Sequence, residues 1–391
     1  MNSVCASTRA YNTSKAFVTK KGTKDGPDIT LYPLNRLPPA ELLASFQHME
    51  LFVEFNSGST SDPFDVGDAP FPRSSPTTRA SLEQMVWHVT RIQMYQFRTS
   101  FFSVGIFGNV ARLFRWDRSG SIVSKPIMLT EKGNRELSEF FYRFNLADST
   151  QRGWDPTVSE ATPEETAAFD QAVDVAVGEG KNKLFKRLFG SVGDVIRYSR
   201  KKVEVIHPSG RQTSYIVGRS TVSPEVPTGR CTRGFVAMDT DTRMLVFLKD
   251  SWRPNAPGVK SESHWHRIVQ GTRNVAVFSH GSDVGKVVPR RGVGRGVKPQ
   301  LTISQNDGRR YCGIAAMMGH IHYRTIQCEF YLPLNTFRDS RQLAEVMYDV
   351  VLGAKRLLGS ATVHHSFTLL QQWKNFMKGG SFIEISATTT L

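Results

Sequence analysis

The sequence TGRCTRGFVAMDTDTRMLVFLKD, residues 228–250, reads as two apolar strands joined by a tight turn. The first strand is predicted at Gly234–Asp239 and the second at Met244–Lys249, with the turn at Thr240–Thr242. A turn that carries two glycines, Gly229 and Gly234, precedes the strand residues Phe235–Asp239. The pattern therefore predicts an antiparallel hairpin that is entered through a glycine-bearing loop.

The chemistry of this hairpin points to phosphate groups. Main-chain N–H groups between Gly229 and Gly234 can approach a phosphate without obstruction by a Cβ, and Lys249 on the next strand can reach the same phosphate. Glu262, on a helix predicted at Lys260–Gln270, follows in the order needed to pair with this lysine. Each feature also has a purely structural explanation. The two glycines can simply shape a hairpin, Lys249 can be a solvated lysine, and Glu262 can be an acidic residue that the helix dipole favours in a first turn.

The sequence as a whole predicts an α+β chain. We expect a flexible arm at 1–30, an N-terminal α/β domain at 31–150, a helical linker at 151–210, a unit at 211–357 and a divergent tail at 358–391. In the N-terminal domain we predict a helix from Pro38, strands at Met49–Phe55, Ser100–Phe107, Ala111–Trp116 and Ser121–Ser124, and helices at Arg79–Phe97, Glu131–Leu146 and Glu164–Val177. Beyond it we predict strands at Asp194–Tyr198, Val203–His207, Thr213–Val217, Asn274–Phe278 and His322–Phe330, and a helix at Ser340–Leu358.

Composition limits the class of protein. The chain has 391 residues, 39% of them hydrophobic, and a formal net charge of +15. Because no run of about 18 apolar residues and no apolar signal core occurs, we expect an intracellular protein of the cytoplasm or nucleus without membrane contact. The four cysteines show neither a CxxC pair nor histidines at metal-ligand spacing, so we expect no disulfide framework and no zinc site.

Several segments resemble the fungal-type protein kinase family. They are Thr228–Asp239, Val246–Arg253, Asn274–Val284 and His322–Asp349, with Ala111–Ser124 and Glu139–Val158 in the N-terminal domain, so the likeness covers about residues 40 to 355. The resemblance implies the nucleotide-binding N-lobe of a protein kinase, ATP and Mg²⁺ as cofactors, and a protein with Ser or Thr as substrate. It also implies cofactor-binding residues: Gly229, Arg230, Thr232 and Gly234 over the phosphates, Lys249 in contact with them, Glu262 paired with Lys249, and Glu329 to Leu332 as the adenine-facing hinge.

The sequence departs from the family beyond the hinge. A kinase needs a catalytic-loop Asp as the proton acceptor, an Asn for magnesium and a second metal-binding Asp. By spacing, Ser366 falls where the base Asp is expected and Gln371 where the Asn is expected, and the last Asp of the chain is Asp349. We therefore predict no catalytic residues and no metal ligands: a truncated or inactive pseudokinase that binds ATP weakly at most.

Three other interpretations stay open. The first is a non-catalytic protein-interaction module, and the second is a basic nucleic-acid-binding protein that uses the clusters at Lys181–Lys202 and Lys286–Lys298. The third is a metal-dependent nuclease, suggested by acidic residues of the N-terminal domain: Glu50, Glu54, Asp62 and Asp65. We expect Glu54 to lie at a strand edge or domain interface instead, because Asn56 occupies the position where a nuclease lysine would follow.

Two other groups of residues are given structural interpretations. The adjacent His364 and His365 are interpreted as exposed histidines. A charge network on a hairpin is predicted for Arg112, Arg115, Asp117 and Arg118.

Overall fold

The structure is a computed structural model, and it describes most of the chain. The described residues are 7–14, 26–37, 45–64, 75–130, 134–178, 199–207, 209–271, 275, 277–290, 294–306, 310–311, 317–330 and 337–359.

The first sheet is formed mainly by the N-terminal third of the chain. Its strands run in the order β1-β2-β3-β4-β5-β6-β16, with β7 paired to β5. β3 and β4 pair in parallel, and the other pairs are antiparallel. The strands are β1 Thr8–Asn12, β2 Ile29–Pro33, β3 Leu51–Asn56, β4 Phe101–Phe107, β5 Val110–Asp117, β6 Gly120–Val123, β7 Ile127–Met128 and β16 Arg310–Tyr311.

Two helices cover the two faces of this sheet. Helix α1, Pro76–Tyr95, begins at Ser75, whose side chain accepts a hydrogen bond from the Thr78 amide, and its apolar stripe packs on one face. Helix α2, Arg135–Leu146, begins at Asn134 and packs Phe140 and Phe144 on the other face. The N-terminal domain is therefore a sheet buried on both sides.

The second sheet is antiparallel throughout and runs in the order β13-β17-β12-β11-β10-β9-β8. Helix α3, Pro163–Gly178, packs on one face, where Phe169 and Val173 contact Ile216 and Met238. The strands are β8 Val158–Glu160, β9 Lys201–Ile206, β10 Gln212–Val222, β11 Arg233–Asp239, β12 Leu245–Pro254, β13 Phe278–Asp283 and β17 His320–Gln327.

Two helices and a ribbon complete the second unit. Helix α4 is Glu262–Val269, helix α5 is Ser340–Gly359, and β14 Gly285–Arg290 pairs with β15 Gly294–Pro299 as a separate two-stranded ribbon. The predicted α+β class is confirmed. No helix within the described residues is long and apolar enough to cross a membrane.

Three sequence predictions are wrong. Residues 8–12 of the predicted flexible arm form β1, because their main chain pairs with β2 and Tyr11 packs on the ring of Tyr32. The predicted helical linker contains α3, but β8 and β9 on either side of it belong to the second sheet. Of the strand predicted at Asn274–Phe278, residues 274 and 276 lie outside the described residues, and β13 begins only at Phe278. Pairing of β13 with β17 outweighs the low strand preference of the polar FSHGSD segment.

Two other secondary-structure predictions lie outside the described residues. They are the helix from Pro38 and the strand at Asp194–Tyr198.

Candidate functional site

The candidate site is centred on Lys249 in β12, near the middle of the second sheet. Lys249 lies opposite Gly234 of β11 on one side and Thr325 of β17 on the other. Its side chain is buried. A lysine in an interior strand requires an anionic partner, because burial of an unpaired ammonium group is strongly unfavourable.

Glu262 supplies that partner from the first turn of α4. Lys249 Nζ donates to Glu262 Oε1 at 2.9 Å and to Oε2 at 3.1 Å. Arg230 Nη2 lies 3.1 Å from Oε2, and His266 Nε2 lies 3.5 Å from Oε1. One carboxylate therefore holds an ammonium and a guanidinium group side by side.

The charge state of Glu262 follows from these neighbours. Burial by itself would raise the pKa of the Glu262 carboxyl, but Lys249, the hydrogen bond with His266, and Arg230 hold it well below its usual value. Glu262 also stands at the N-terminal end of α4, where the helix dipole favours a negative charge. Both explanations offered for Glu262 from the sequence thus apply to the same side chain.

The glycine loop is the segment 223–232 between β10 and β11. Gly229 has φ +87°, a left-handed conformation that favours glycine, and its N–H donates to the Arg118 carbonyl at 2.7 Å. The Arg230 carbonyl accepts from the Trp252 amide at 2.8 Å. Main-chain contacts therefore fix the loop on both sides of the bond between Gly229 and Arg230.

Gly234 serves packing in the structure. It lies within β11 and not in the loop, and a Cβ at this position would approach the Phe247 ring to 2.5 Å. The prediction that both glycines lie in one turn is wrong for Gly234, because the strand begins at Arg233. Only Gly229 of the pair occupies the loop.

Of the remaining predicted site residues, the structure describes Thr232 and Glu329. Thr232 is half-buried in the glycine loop, and Glu329 follows the end of β17, the strand next to Lys249. The others lie outside the described residues: Leu332, His364, His365, Ser366 and Gln371.

A buried ion cluster around Asp250, the residue after Lys249 in β12, was not predicted. It consists of Asp155, Arg233, Asp250, His322 and Arg324, all buried. Arg324 donates to Asp155 at 2.6 Å and to Asp250 at 3.0 Å, while Arg233 and His322 each lie 2.6 Å from Asp250. Charged residues at alternate positions of apolar strands, such as His322 and Arg324 in β17, are the sequence signal that could have indicated it.

Opposing effects set the pKa values in this cluster. Burial by itself would raise the pKa of Asp250, but the surrounding His322, Arg324 and Arg233 hold it well below its usual value. Burial likewise opposes ionisation of Asp155, and Arg324 is the first of the groups that lower its pKa. The cluster therefore ties the loop at Asp155 to β12 and β17, on the face of the sheet opposite to the Lys249 side chain.

Within the described residues, the acidic side chains of the N-terminal domain share no ligand site. Glu50 pairs with Arg98 at 3.1 Å, Glu54 accepts a 2.6 Å hydrogen bond from Gln84, and Asp62 pairs with Arg112 at 2.8 Å. The described residues contain no group of three or more potential metal ligands, and Asp65 lies outside them. Glu54 is buried in β3 opposite Gly105 of β4, at a position where the ladder with β2 has already ended at Val53. This geometry gives no support to a nuclease centre.

The predicted charge network at residues 112–118 is only partly local. Arg115 pairs with Asp117 at 3.3 Å, but Arg112 reaches Asp62 and the Asp117 carboxylate accepts hydrogen bonds from the amides of Ile303 and Ser304. The β5–β6 turn therefore contacts the second unit instead of closing a network on its own hairpin.

The model of the fungal protein kinase family matches residues 72–366 of the chain. The match begins later than the predicted limit of 40 and extends past 355 into the predicted tail. Comparison with curated proteins and with solved structures gives no match. The matched region covers most of the chain and contains the hairpin, the Lys249–Glu262 pair and β17. The chain therefore belongs to the fungal protein kinase family.

Proposed function

We propose that this chain binds ATP at the Lys249–Glu262 site and that its 391 residues do not transfer the γ-phosphate by themselves. The observation that carries the proposal is the buried 2.9 Å contact between the Lys249 ammonium group and the Glu262 carboxylate. In protein kinases a strand lysine held by a helix glutamate contacts the nucleotide phosphates. Family membership implies ATP and magnesium in general terms, and binding by this chain is our inference.

The donor groups at the site suit a phosphate. Lys249 and Arg230 converge on one carboxylate, so the ammonium and guanidinium groups lie close together at the glycine loop. Two such cations can neutralise the charge of a polyphosphate, and Arg230 can donate more than one hydrogen bond to it. We therefore infer that Arg230 and Lys249 together hold the phosphates.

The second half of the proposal rests on the sequence after the hinge. Phosphoryl transfer requires a carboxylate that accepts the substrate proton and anionic ligands for magnesium. After Asp349 the chain contains no further Asp and a single Glu, Glu384. Ser366 and Gln371 stand near the expected base and metal positions, and neither carries a negative charge. Phosphorylation of Ser or Thr in a protein substrate is an activity of the family. We do not propose that these 391 residues alone catalyse it.

We expect Mg·ATP to raise the melting temperature of the wild-type chain and Lys249→Ala to abolish this rise. A ligand present at 100 times its Kd stabilises a protein by about 2.7 kcal/mol, which is readily detected as a thermal shift. The matched control is Lys201→Ala, because Lys201 also lies in the second sheet and pairs with a glutamate, Glu160, at a more exposed position. Differential scanning fluorimetry over a range of ATP concentrations measures the effect.

The control variant should keep the full shift. A wild-type chain that shows no shift at millimolar ATP would contradict nucleotide binding and favour a non-catalytic interaction module. Magnesium-dependent transfer of label from γ-labelled ATP to a protein substrate, lost in Lys249→Ala, would instead contradict the inactivity that we propose.

The basic ribbon allows a separate test of nucleic-acid binding. Lys286 and Lys298 lie directly opposite each other on β14 and β15, and both are exposed. We expect no retardation of generic duplex DNA at 150 mM salt, because these two lysines provide few phosphate contacts. Retardation with a steep salt dependence, lost in the double variant Lys286→Glu/Lys298→Glu, would favour the nucleic-acid interpretation.

A further inference from the structure

The turn between β5 and β6, Asp117–Gly120, belongs to the N-terminal domain but is buried against the second unit. Asp117, Arg118 and Ser119 are each exposed by 2% or less. A polar turn is normally solvated, and burial of its polar groups requires partners for them. The identity of those partners shows what the turn does.

The Asp117 carboxylate anchors one side of the turn. Its Oδ2 accepts hydrogen bonds from the Ile303 amide at 2.9 Å and from the Ser304 amide at 3.0 Å, and its Oδ1 accepts one from the Ser304 hydroxyl. Hydrogen bonds to a carboxylate are stronger than those between neutral groups. Asp117 therefore fixes the turn to the segment that precedes β17.

Ser119 adds a second anchor on the same segment. Its Oγ lies 2.7 Å from Thr302 Oγ1 and 2.6 Å from the Met318 carbonyl. Immediately after the turn, β6 pairs with β16, Arg310–Tyr311, which lies between Ser304 and Met318 in the chain. Two side chains and a short β-ladder thus hold the turn in one position.

Arg118 provides the contact with the glycine loop. Its carbonyl accepts the Gly229 N–H at 2.7 Å, and the next residue, Arg230, donates to Glu262 at 3.1 Å. The Gly229 amide is thereby used by the turn and is not available to a phosphate. The position of Arg230 beside Lys249 depends on where this hydrogen bond holds the loop.

We infer that the Asp117–Gly120 turn is a positioning element for the nucleotide site: it holds the glycine loop so that Arg230 stays beside Lys249. The inference rests on the proposed function. A loop fixed in its binding conformation before the ligand arrives loses less entropy on binding, which increases affinity. The N-terminal domain would then act on nucleotide binding through the main-chain hydrogen bond between Arg118 and Gly229, and Asp117 and Ser119 would be the positioning residues.

Asp117→Ala tests the inference with two readouts on the full chain. Hydrogen–deuterium exchange of a peptide that spans residues 226–232 reports whether the Gly229 amide is protected. Titration with Mg·ATP reports affinity, and we expect it to fall about tenfold when the loop is released, the equivalent of about one hydrogen bond to a charged group.

The matched control is Asp239→Ala. The Asp239 carboxylate also accepts two main-chain N–H groups, those of Asp241 and Thr242, but within the β11–β12 turn and away from the glycine loop. We expect this variant to leave the exchange of residues 226–232 and the affinity for ATP unchanged. A purely structural role of Asp117 would instead increase exchange throughout the second sheet and lower stability without a selective effect on the loop.

If Asp117→Ala does not fold, the milder double variant Ser119→Ala/Ser304→Ala replaces it. We expect this variant also to show faster exchange of the glycine loop and weaker ATP binding, with smaller changes than those expected for Asp117→Ala. Exchange of residues 226–232 that is already unprotected in the wild type would overturn the inference. So would faster exchange in the variant with unchanged affinity. A wild-type chain that binds no ATP would refute the proposed function, while the exchange measurement would still decide whether the turn holds the loop.

Discussion

Replacing Arg324 by methionine should destabilise the protein by about 3–5 kcal/mol, the range found when one partner of a buried ion pair is removed. Arg324 has no exposed surface and bridges Asp155 at 2.6 Å and Asp250 at 3.0 Å. Methionine keeps much of the side-chain volume but removes the charge, which leaves two carboxylates buried with less compensation. Urea unfolding monitored by circular dichroism measures the loss of free energy.

The control is Arg211→Met. Arg211 pairs with Asp241 at 2.9 Å, but both side chains are more than half exposed, so this pair is expected to contribute below about 1 kcal/mol. Equal effects of the two substitutions would show that burial of the cluster does not determine its contribution. A loss below about 1 kcal/mol for Arg324→Met would contradict the prediction.

The sign of the pH dependence gives a second check on the same variant. In the wild type the pKa values of Asp155 and Asp250 are lowered, so the stability that they contribute is present above their ordinary pKa of about 4 and is lost as the pH falls through the lowered values. Without Arg324, Asp155 loses the strongest of the groups that lower its pKa while burial still opposes its ionisation, so the folded variant should bind a proton at a higher pH than the folded wild type. The destabilisation by Arg324→Met should therefore be larger at pH 8 than at pH 5.

Features with a local signal could be predicted from the sequence. The hairpin of β11 and β12 follows from two apolar strands around Thr240–Thr242, and α4 from the spacing of residues after Lys260. The lysine and glutamate of the site could be named in advance because their order along the chain, together with the family resemblance, limited the choice. Even so, Gly234 was predicted to lie in the turn. The sequence does not show that the Phe247 ring leaves no room for a Cβ at this position of the strand.

The contacts that surround the site could not be predicted, because their partners are far apart in the chain. Asp155 and Arg324 are separated by 169 residues, and Ser119 and Met318 by 199. Neither pair leaves a periodic pattern, and a buried Asp or Arg looks like any solvated charge until the fold brings it to its partner. For the same reason Arg118 was interpreted as part of a local hairpin network, whereas its carbonyl holds Gly229.

These long-range contacts bear on how independent the two units are. Phe97 follows α1 in the N-terminal domain, yet its ring belongs to the apolar cluster of the second sheet together with Val203, Tyr215 and Leu248. The Arg233 guanidinium group lies 4.1 Å from the centre of the Phe97 ring, and its Nη1 donates to the Gln96 carbonyl at 2.9 Å. We therefore expect the two sheets to unfold together.

Phe97→Ala should destabilise the whole chain by about 3–5 kcal/mol, as large-to-small substitutions of buried aromatic residues do. The Phe97 ring stacks on Phe235 at a centroid distance of 5.3 Å, and its removal leaves a cavity beneath Arg233. Urea unfolding followed by both circular dichroism and tryptophan fluorescence should give one coincident transition that moves to lower urea in the variant. Phe55→Ala, at a site that is half exposed, should change the stability by less than about 1 kcal/mol. Two separate transitions, of which only one responds to Phe97→Ala, would show instead that the N-terminal domain folds independently of the second sheet.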